Sequence, residues 1–395
     1  MTPQGTDPAI VARLLTHEGE IAVRVAWDRR GVVTEVRPIE ADSASLPIVA
    51  PGLVDLQVNG YAGLDVNSES TTAPQLIELS YLLASHGVTT WMPTIVTAPE
   101  SRIVDALRRI SAARAADPVV EAAIPAAHVE GPFISDRDGA RGVHDRASVR
   151  PIDPAEVARW LRAGPVGIVT LSPHGESAAR GIRAITQLGV AVAIGHTHAN
   201  PDEITAAVDA GATLCTHLGN GIPTLLPRHP NILWRQLAED RLSAGLIADG
   251  HHLPFDTLEV MLRAKGLDRA FLVSDATEIG GRPPGRYRTA VGSLVELDQN
   301  NRLSVSGGEL LAGAAATLLD GVRNVAAHTS FSLHDVLALT SRNPARHAPG
   351  IRSGIGRLSP GAPADLIVLD DTDRLRPALA EIVQSGRRLR PATQG

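Results

Sequence analysis

From Leu53 to Val273 the sequence repeats one pattern eight times: a short apolar run of strand length, then a longer stretch with helical spacing. The runs begin at Leu53 and continue with Val88–Val96, the segment leading into His128–Gly131, Val166–Leu171, Val190–Gly195, Ala212–Thr216, Ser243–Ala248 and Ala270–Val273. Between them lie helical stretches such as Pro74–His86, Pro99–Ala116, Pro154–Ala163, Ser177–Leu188, Pro201–Ala210, Leu233–Glu239 and Pro254–Ala264. Strands separated by helices must run parallel, and eight of them close into a barrel. An open doubly wound sheet would need a Gly-x-Gly-x-x-Gly turn between a strand and a helix, and the chain has none there. Polar residues also sit at five or more strand tips rather than at one switch point, which again selects the barrel.

The two ends read differently. Ile10–Leu15, Glu20–Trp27 and Gly31–Pro38 are short strand patterns, and Pro363–Asp370 and Ile382–Leu389 repeat that character near the C-terminus. Neither group is large enough to stand alone. The expected organisation is a small β-sandwich domain built from both chain ends, residues 1–50 and 358–395, around a (β/α)8 TIM-like barrel over 51–357.

The strand tips carry the chemistry. His128-Val129-Glu130-Gly131-Pro132, Ile194-Gly195-His196, Cys215-Thr216-His217 and Ser274-Asp275-Ala276 each place a polar group after an apolar segment and before turn-forming residues. In barrels of this kind the active site lies at the C-terminal ends of the strands. Glu130 with His196 and His217 is a donor set suited to a borderline cation such as Zn²⁺, with a position left for water. Asp275 is the nearby base.

Composition narrows the alternatives. Hydrophobic residues at 44% and charged residues at 20% describe an ordinary globular protein, and a net charge of −6 without a basic, aromatic-rich run argues against nucleic acid. No apolar segment reaches membrane-spanning length and the N-terminus has no signal-peptide pattern, so a cytoplasmic protein is expected. The single cysteine, Cys215, excludes an internal disulfide and a cysteine-rich zinc site, and reads as a small buried thiol. The single lysine, Lys265, falls at a helix end, so no strand offers a lysine to bridge two metals.

Pro51-Gly-Leu-Val-Asp-Leu-Gln-Val-Asn-Gly60, His128-Val-Glu-Gly-Pro-Phe133, Ile194-Gly-His-Thr197, Thr216-His-Leu-Gly-Asn220, Asp249-Gly-His-His252, Val273-Ser-Asp-Ala276 and Leu311-Ala-Gly313 occur in that order. Together they resemble the N-acetylglucosamine-6-phosphate deacetylase family of the amidohydrolase superfamily, over nearly the whole chain. The resemblance implies a metal-dependent hydrolase barrel that removes the acetyl group from N-acetylglucosamine 6-phosphate. It implies Glu130, His196 and His217 as metal ligands and Asp275 as catalytic acid and base. It further implies His144 and His252 beside the sugar and carbonyl, Asn220, Gly221 and Arg228 on the phosphate, and Leu311 in the substrate pocket. Many superfamily members carry His-x-His at the end of the first strand and bind two metals; Gln57 and Asn59 stand there instead. One divalent ion per chain is therefore expected, zinc first, with iron or another transition metal as alternatives. The resemblance also implies a homodimer.

The chain departs from the family pattern at Gly221-Ile222-Pro223, at Leu226-Pro227-Arg228-His229-Pro230, and at His174, His198 and His251. Two other readings stay open at this level: an amidohydrolase acting on another N-acyl sugar, N-acyl amino acid or cyclic amide, and a barrel without catalysis. Asn220 and Arg228 argue against the first, and retention of Glu130, His196, His217 and Asp275 argues against the second.

Overall fold

The computed structural model describes residues 7–289, 292–373 and 376–392. Eight parallel strands form one sheet in sequential order. We label them β1 (Leu53–Val58), β2 (Val88–Val96), β3 (Ala127–Glu130), β4 (Val166–Leu171), β5 (Ala191–Ile194), β6 (Leu214–Cys215), β7 (Ser243–Ile247) and β8 (Ala270–Val273). The sheet closes where β8 meets β1: Asp275 N–H donates to Gln57 O (3.0 Å) and Asn59 N–H to Ala276 O (2.8 Å). An α/β barrel is thus what the alternating pattern produces.

All the residues of the barrel strands except Val96 and Ala191 are buried, as expected where helices cover the outside and side chains fill the inside. Leu53, Trp91, Val129, Val169 and Leu246 face the helices, whereas Val54, Leu56, Met92, Ile168, Leu214, Ile247 and Phe271 fill the barrel interior below the strand tips. His128 shares that interior. Its Nδ1 lies 3.0 Å from Leu56 O and its Nε2 2.7 Å from Thr170 Oγ1, so it is a satisfied core residue one layer beneath Glu130.

The helices start where local chemistry lets them. Asp153 accepts from Ala155 N ahead of Pro154–Ala163, and Asn200 accepts from Asp202 N and Glu203 N ahead of Pro201–Asp209. In both, proline occupies the first turn, where its missing N–H costs no bond. Most boundaries shift by one or two residues from the sequence reading, and one helix is additional. Residues 118–123 form a helix, Pro118–Ala123, capped by Asp117, and Ile124 closes it, so the apolar run 124–126 precedes the strand rather than opening it.

The terminal strands join in one seven-stranded sheet, with the strand Ile48–Pro51 paired to both Ala9–Thr16 and Leu366–Asp370. The sheet curls over so that Val33 N–H reaches Ala362 O (2.8 Å) and Trp27 Nε1 reaches Gly386 O (2.9 Å). Its own core of Val25, Trp27, Val49, Leu366, Val368 and Val383 lies between the curled faces. A further three-stranded antiparallel sheet, Gly285–Arg288, Leu294–Leu297 and Leu303–Val305, follows β8 and has no counterpart in the sequence reading. It stands over the C-terminal mouth of the barrel.

Candidate active site

The strand tips open into a cavity of about 610 Å³ lined by Glu130, His144, His196, His217, Asn220, Gly221, His252, Asp275 and Leu311 among others. Nine of the ten residues singled out from the sequence are therefore in one place. Arg228 is not: it is exposed on the loop after β6 and does not line the cavity.

The backbone at the tips is strained. His196 (φ 46°), His217 (φ 28°) and Asp275 (φ 50°) are three of the six non-glycine residues with positive φ among the described residues. Such conformations cost of order 1–3 kcal/mol each and persist where the surroundings over-determine them. Each turns a side chain inward at the point where the strand ends. Gly221 (φ 59°) packs on the back of His196, and a Cβ there would lie 2.9 Å from His196 Nδ1.

Four donor groups converge. Glu130 Oε1 is 3.0 Å from His217 Nε2 and 3.3 Å from His196 Nε2, and the two Nε2 atoms are 3.0 Å apart. His196 Nδ1 faces Ala140 O at 3.0 Å, which places the proton on Nδ1 and a lone pair on Nε2. A tetrahedral ion with bonds of about 2.0–2.2 Å sets its ligands roughly 3.3–3.6 Å apart, so this triangle is close to the size a divalent cation needs. His144 joins more loosely, with Nε2 3.2 Å from His196 Nε2 and 4.0 Å from Glu130 Oε2. A cluster of Glu130, His144 and His196 also has donor atoms within 4.8 Å of one another, but His217 makes shorter approaches to both Glu130 and His196 than His144 does. The residues fit a divalent metal.

The electrostatics agree. Burial opposes charge on Glu130, yet hydrogen bonds to His196 and His217 outweigh it and hold the carboxyl well below its usual range. Burial, reinforced by His196, pushes His144 down to about 3, which leaves a neutral imidazole. Burial and then repulsion from Glu130 push Asp275 up to about 6, in the range of a base working near neutrality.

The two amides of β1 and its tip have a definite task. Gln57 Nε2 donates to Glu130 Oε1 (3.0 Å) and Asn59 Nδ2 donates to Asp275 Oδ1 (2.8 Å). An ionised carboxylate only accepts, so both amides must present nitrogen to the site rather than a ligand oxygen. Asp249 Oδ2 meets His252 Nδ1 at 2.7 Å, which fixes the proton there and leaves Nε2 free. Asn59 Oδ1, His144 Nδ1, His217 Nδ1 and Asn220 Nδ2 are buried without a hydrogen-bond partner in the chain. Unmet polar atoms on residues that line a cavity mark where a ligand or water would bond.

The remaining unusual residues lie outside the cavity lining. His174 Nδ1 bonds Ser172 Oγ (2.7 Å) and His198 Nδ1 bonds Ser135 Oγ (2.6 Å). His251 Nε2 reaches Asn300 O (2.8 Å), and His229 is exposed. Cys215 is buried and its thiol is pushed up to about 12 by burial. Lys265, read as part of a polar helix end, is instead 1% exposed, with its Nζ donating to Gln236 O and Glu239 O. Sequence reasoning missed Arg141, Arg146 and Thr277, and also Thr289, Ser293 and Val295 from the added sheet, all of which line the cavity. A cavity wall contributed by an insertion has no periodic signal to reveal it.

The sequence pattern of the Amidohydrolase family matches residues 48–393. The chain belongs to the amidohydrolase family. Within it, the chain is 32% identical to N-acetylgalactosamine-6-phosphate deacetylase of Escherichia coli O157:H7, covering 91% of this chain and 93% of that one. It is 35% identical to N-acetylglucosamine-6-phosphate deacetylase of Homo sapiens, over 82% and 80% of the two chains. Its fold superposes with a TM-score of 0.86, at 27% identity and over 97% and 99% of the chains, on a mutant of N-acetyl-D-glucosamine-6-phosphate deacetylase from Mycobacterium smegmatis in complex with N-acetyl-D-glucosamine-6-phosphate. Among the described residues no helix is long and apolar enough to cross a membrane.

Proposed function

We propose that this amidohydrolase hydrolyses the acetyl-amide bond of an N-acetylhexosamine 6-phosphate, with N-acetylglucosamine 6-phosphate the first candidate, releasing acetate and the free amino sugar. The observation that carries the reading is the closed triangle of Glu130, His196 and His217 donor atoms beside a buried Asp275 in one cavity. Glu130, His196 and His217 hold one divalent ion, zinc in our reading. Such an ion supplies Lewis-acid polarisation of a carbonyl and lowers the pKa of water.

The chain's own residues do the rest. Asp275, as carboxylate, takes a proton from the attacking water and delivers it to the departing nitrogen. Asn59 orients that carboxylate through the 2.8 Å bond to Oδ1. Neutral His144 is placed to donate to the carbonyl oxygen as it gains charge, and His252, its Nδ1–H held by Asp249, turns Nε2 to the substrate as an acceptor. Asn220, whose buried Nδ2 lacks a partner, and the backbone of Gly221 hold the phosphate. Leu311 packs on the substrate. Arg228 can join them only by reaching a ligand held outside its own cavity, so its role as a clamp and the expectation of a homodimer stand together. A galacto-configured substrate is the second reading, favoured by the E. coli O157:H7 relative. Acetate release from the gluco and galacto 6-phosphates and from the unphosphorylated sugars tests the proposal. No release from either phosphate refutes it.

A further inference from the structure

Beneath the site, at the seam where β1 meets β8, lies a carboxylate with no place in the chemistry so far. Asp55 is 1% exposed. Its Oδ1 and Oδ2 accept from Ser274 N at 3.2 and 3.3 Å, and Oδ1 also accepts from Gln57 N at 3.2 Å. Both partners lead to a reacting group. Ser274 is the residue immediately before Asp275, and its Oγ accepts from Ala276 N (3.1 Å), which bridges the turn. Gln57 accepts from Asp275 N through its carbonyl (3.0 Å) and donates to Glu130 through its side chain (3.0 Å). Burial raises Asp55 to about 7, against the pull of its bonds to Ser274 and Gln57. Burying a carboxylate is costly, and a neutral Asn or Ser could cap one N–H more cheaply. Oδ1 accepts from both N–H groups and Oδ2 doubles the hold on Ser274 N–H, where an amide in the same pose would turn a donor toward Ser274.

We propose that Asp55 is a positioning residue: by gripping Ser274 N–H and Gln57 N–H together, it holds the positive-φ turn that aims Asp275 and keeps it in register with Glu130. The proposal rests on the reading of Asp275 as the proton-transfer group. Asp275 at φ 50° is a conformation the chain does not choose freely. Released from Asp55, the turn relaxes and the carboxylate moves off its line of attack, while Glu130, His196 and His217, held on other strands, stay in place. A misplacement on the order of 1 Å in a catalytic group costs about 10²-fold.

The test compares Asp55→Ala and Asp55→Asn, each in the wild-type and in the Asp275→Asn background, with metal content and Tm recorded for every protein. Acting through Asp275, Asp55→Ala lowers kcat roughly 10- to 100-fold with KM within about twofold and the metal retained. Asp55→Asn, which keeps one acceptor, recovers part of that loss. In the Asp275→Asn background neither substitution costs further activity, because the group they would misplace is already gone. The same fold-loss in both backgrounds, or an unchanged kcat per metal-loaded site, overturns the proposal and leaves Asp55 a seam residue that affects Tm alone. If Asp55→Ala does not fold, Asp55→Asn in the two backgrounds decides by the same comparison. A wild type that releases no acetate would instead refute the proposed function, before any variant is compared.

Discussion

Replacing Asn59 with leucine isolates one bond in the site. Asn59 Nδ2 donates to Asp275 Oδ1 at 2.8 Å, both residues are buried, and leucine fills nearly the same volume as asparagine. A hydrogen bond to a charged acceptor is worth about 1.5–3 kcal/mol, and each pKa unit is about 1.4 kcal/mol, so losing it raises Asp275 by roughly 1–2 units. The amide stabilises the carboxylate, its removal favours the protonated acid, and only the carboxylate accepts a proton. From an acid limb near 6 in the wild type, the limb in kcat/KM therefore moves to roughly 7–8. At about pH 6 the variant loses roughly 5- to 50-fold, and above about pH 9 it loses little. The assay is acetate release from N-acetylglucosamine 6-phosphate at fixed metal, across roughly pH 5–10 so as to span the limb. An acid limb that stays put, or an equal loss at every pH, refutes the argument that Asn59 acts through the charge on Asp275.

Other expectations can be checked with the same assay. Asp249→Asn, which removes the acceptor that fixes the His252 tautomer, should lower kcat/KM by roughly one to two orders of magnitude while leaving metal content unchanged. Glu130→Gln removes the charge from the donor triangle, so purified protein should hold well under one ion per chain by elemental analysis and regain activity only at raised metal concentration. Arg228→Ala should raise KM for the 6-phosphate by about one order of magnitude and leave any turnover of the unphosphorylated sugar unchanged. An unchanged KM would shift the phosphate contact to Arg141 or Arg146, the arginines that line the cavity.

What the sequence disclosed follows from what each residue answers to. Barrel strands such as Val88–Val96 and Val166–Leu171, and the helix Pro154–Ala163, match their sequence ranges because local apolar patterning and a proline start determine them. Strand tips were legible because Glu130, His196, His217 and Asp275 are polar where a buried strand should stay apolar. Helix Pro118–Ala123 was hidden because an Asp-Pro cap opened it directly after a longer helix. The sheet over 285–305 has no alternation with helices to mark it, yet it supplies Thr289, Ser293 and Val295 to the cavity. Distances between strands are not written in any one segment. That Gln57 and Asn59 would each bond a site carboxylate, or that Arg228 would fall outside its own cavity, depends on the closed barrel.

The proposed chemistry stands or falls on a single divalent ion, held by Glu130, His196 and His217 and serving amide hydrolysis with Asp275. Elemental analysis of the purified protein paired with kcat for acetate release, repeated after chelation and stepwise return of Zn²⁺, measures it. Activity on an N-acetylhexosamine 6-phosphate should rise linearly and saturate at about one ion per chain. Saturation at two ions per chain, with both required, or full metal loading without acetate release from either epimer, would contradict it.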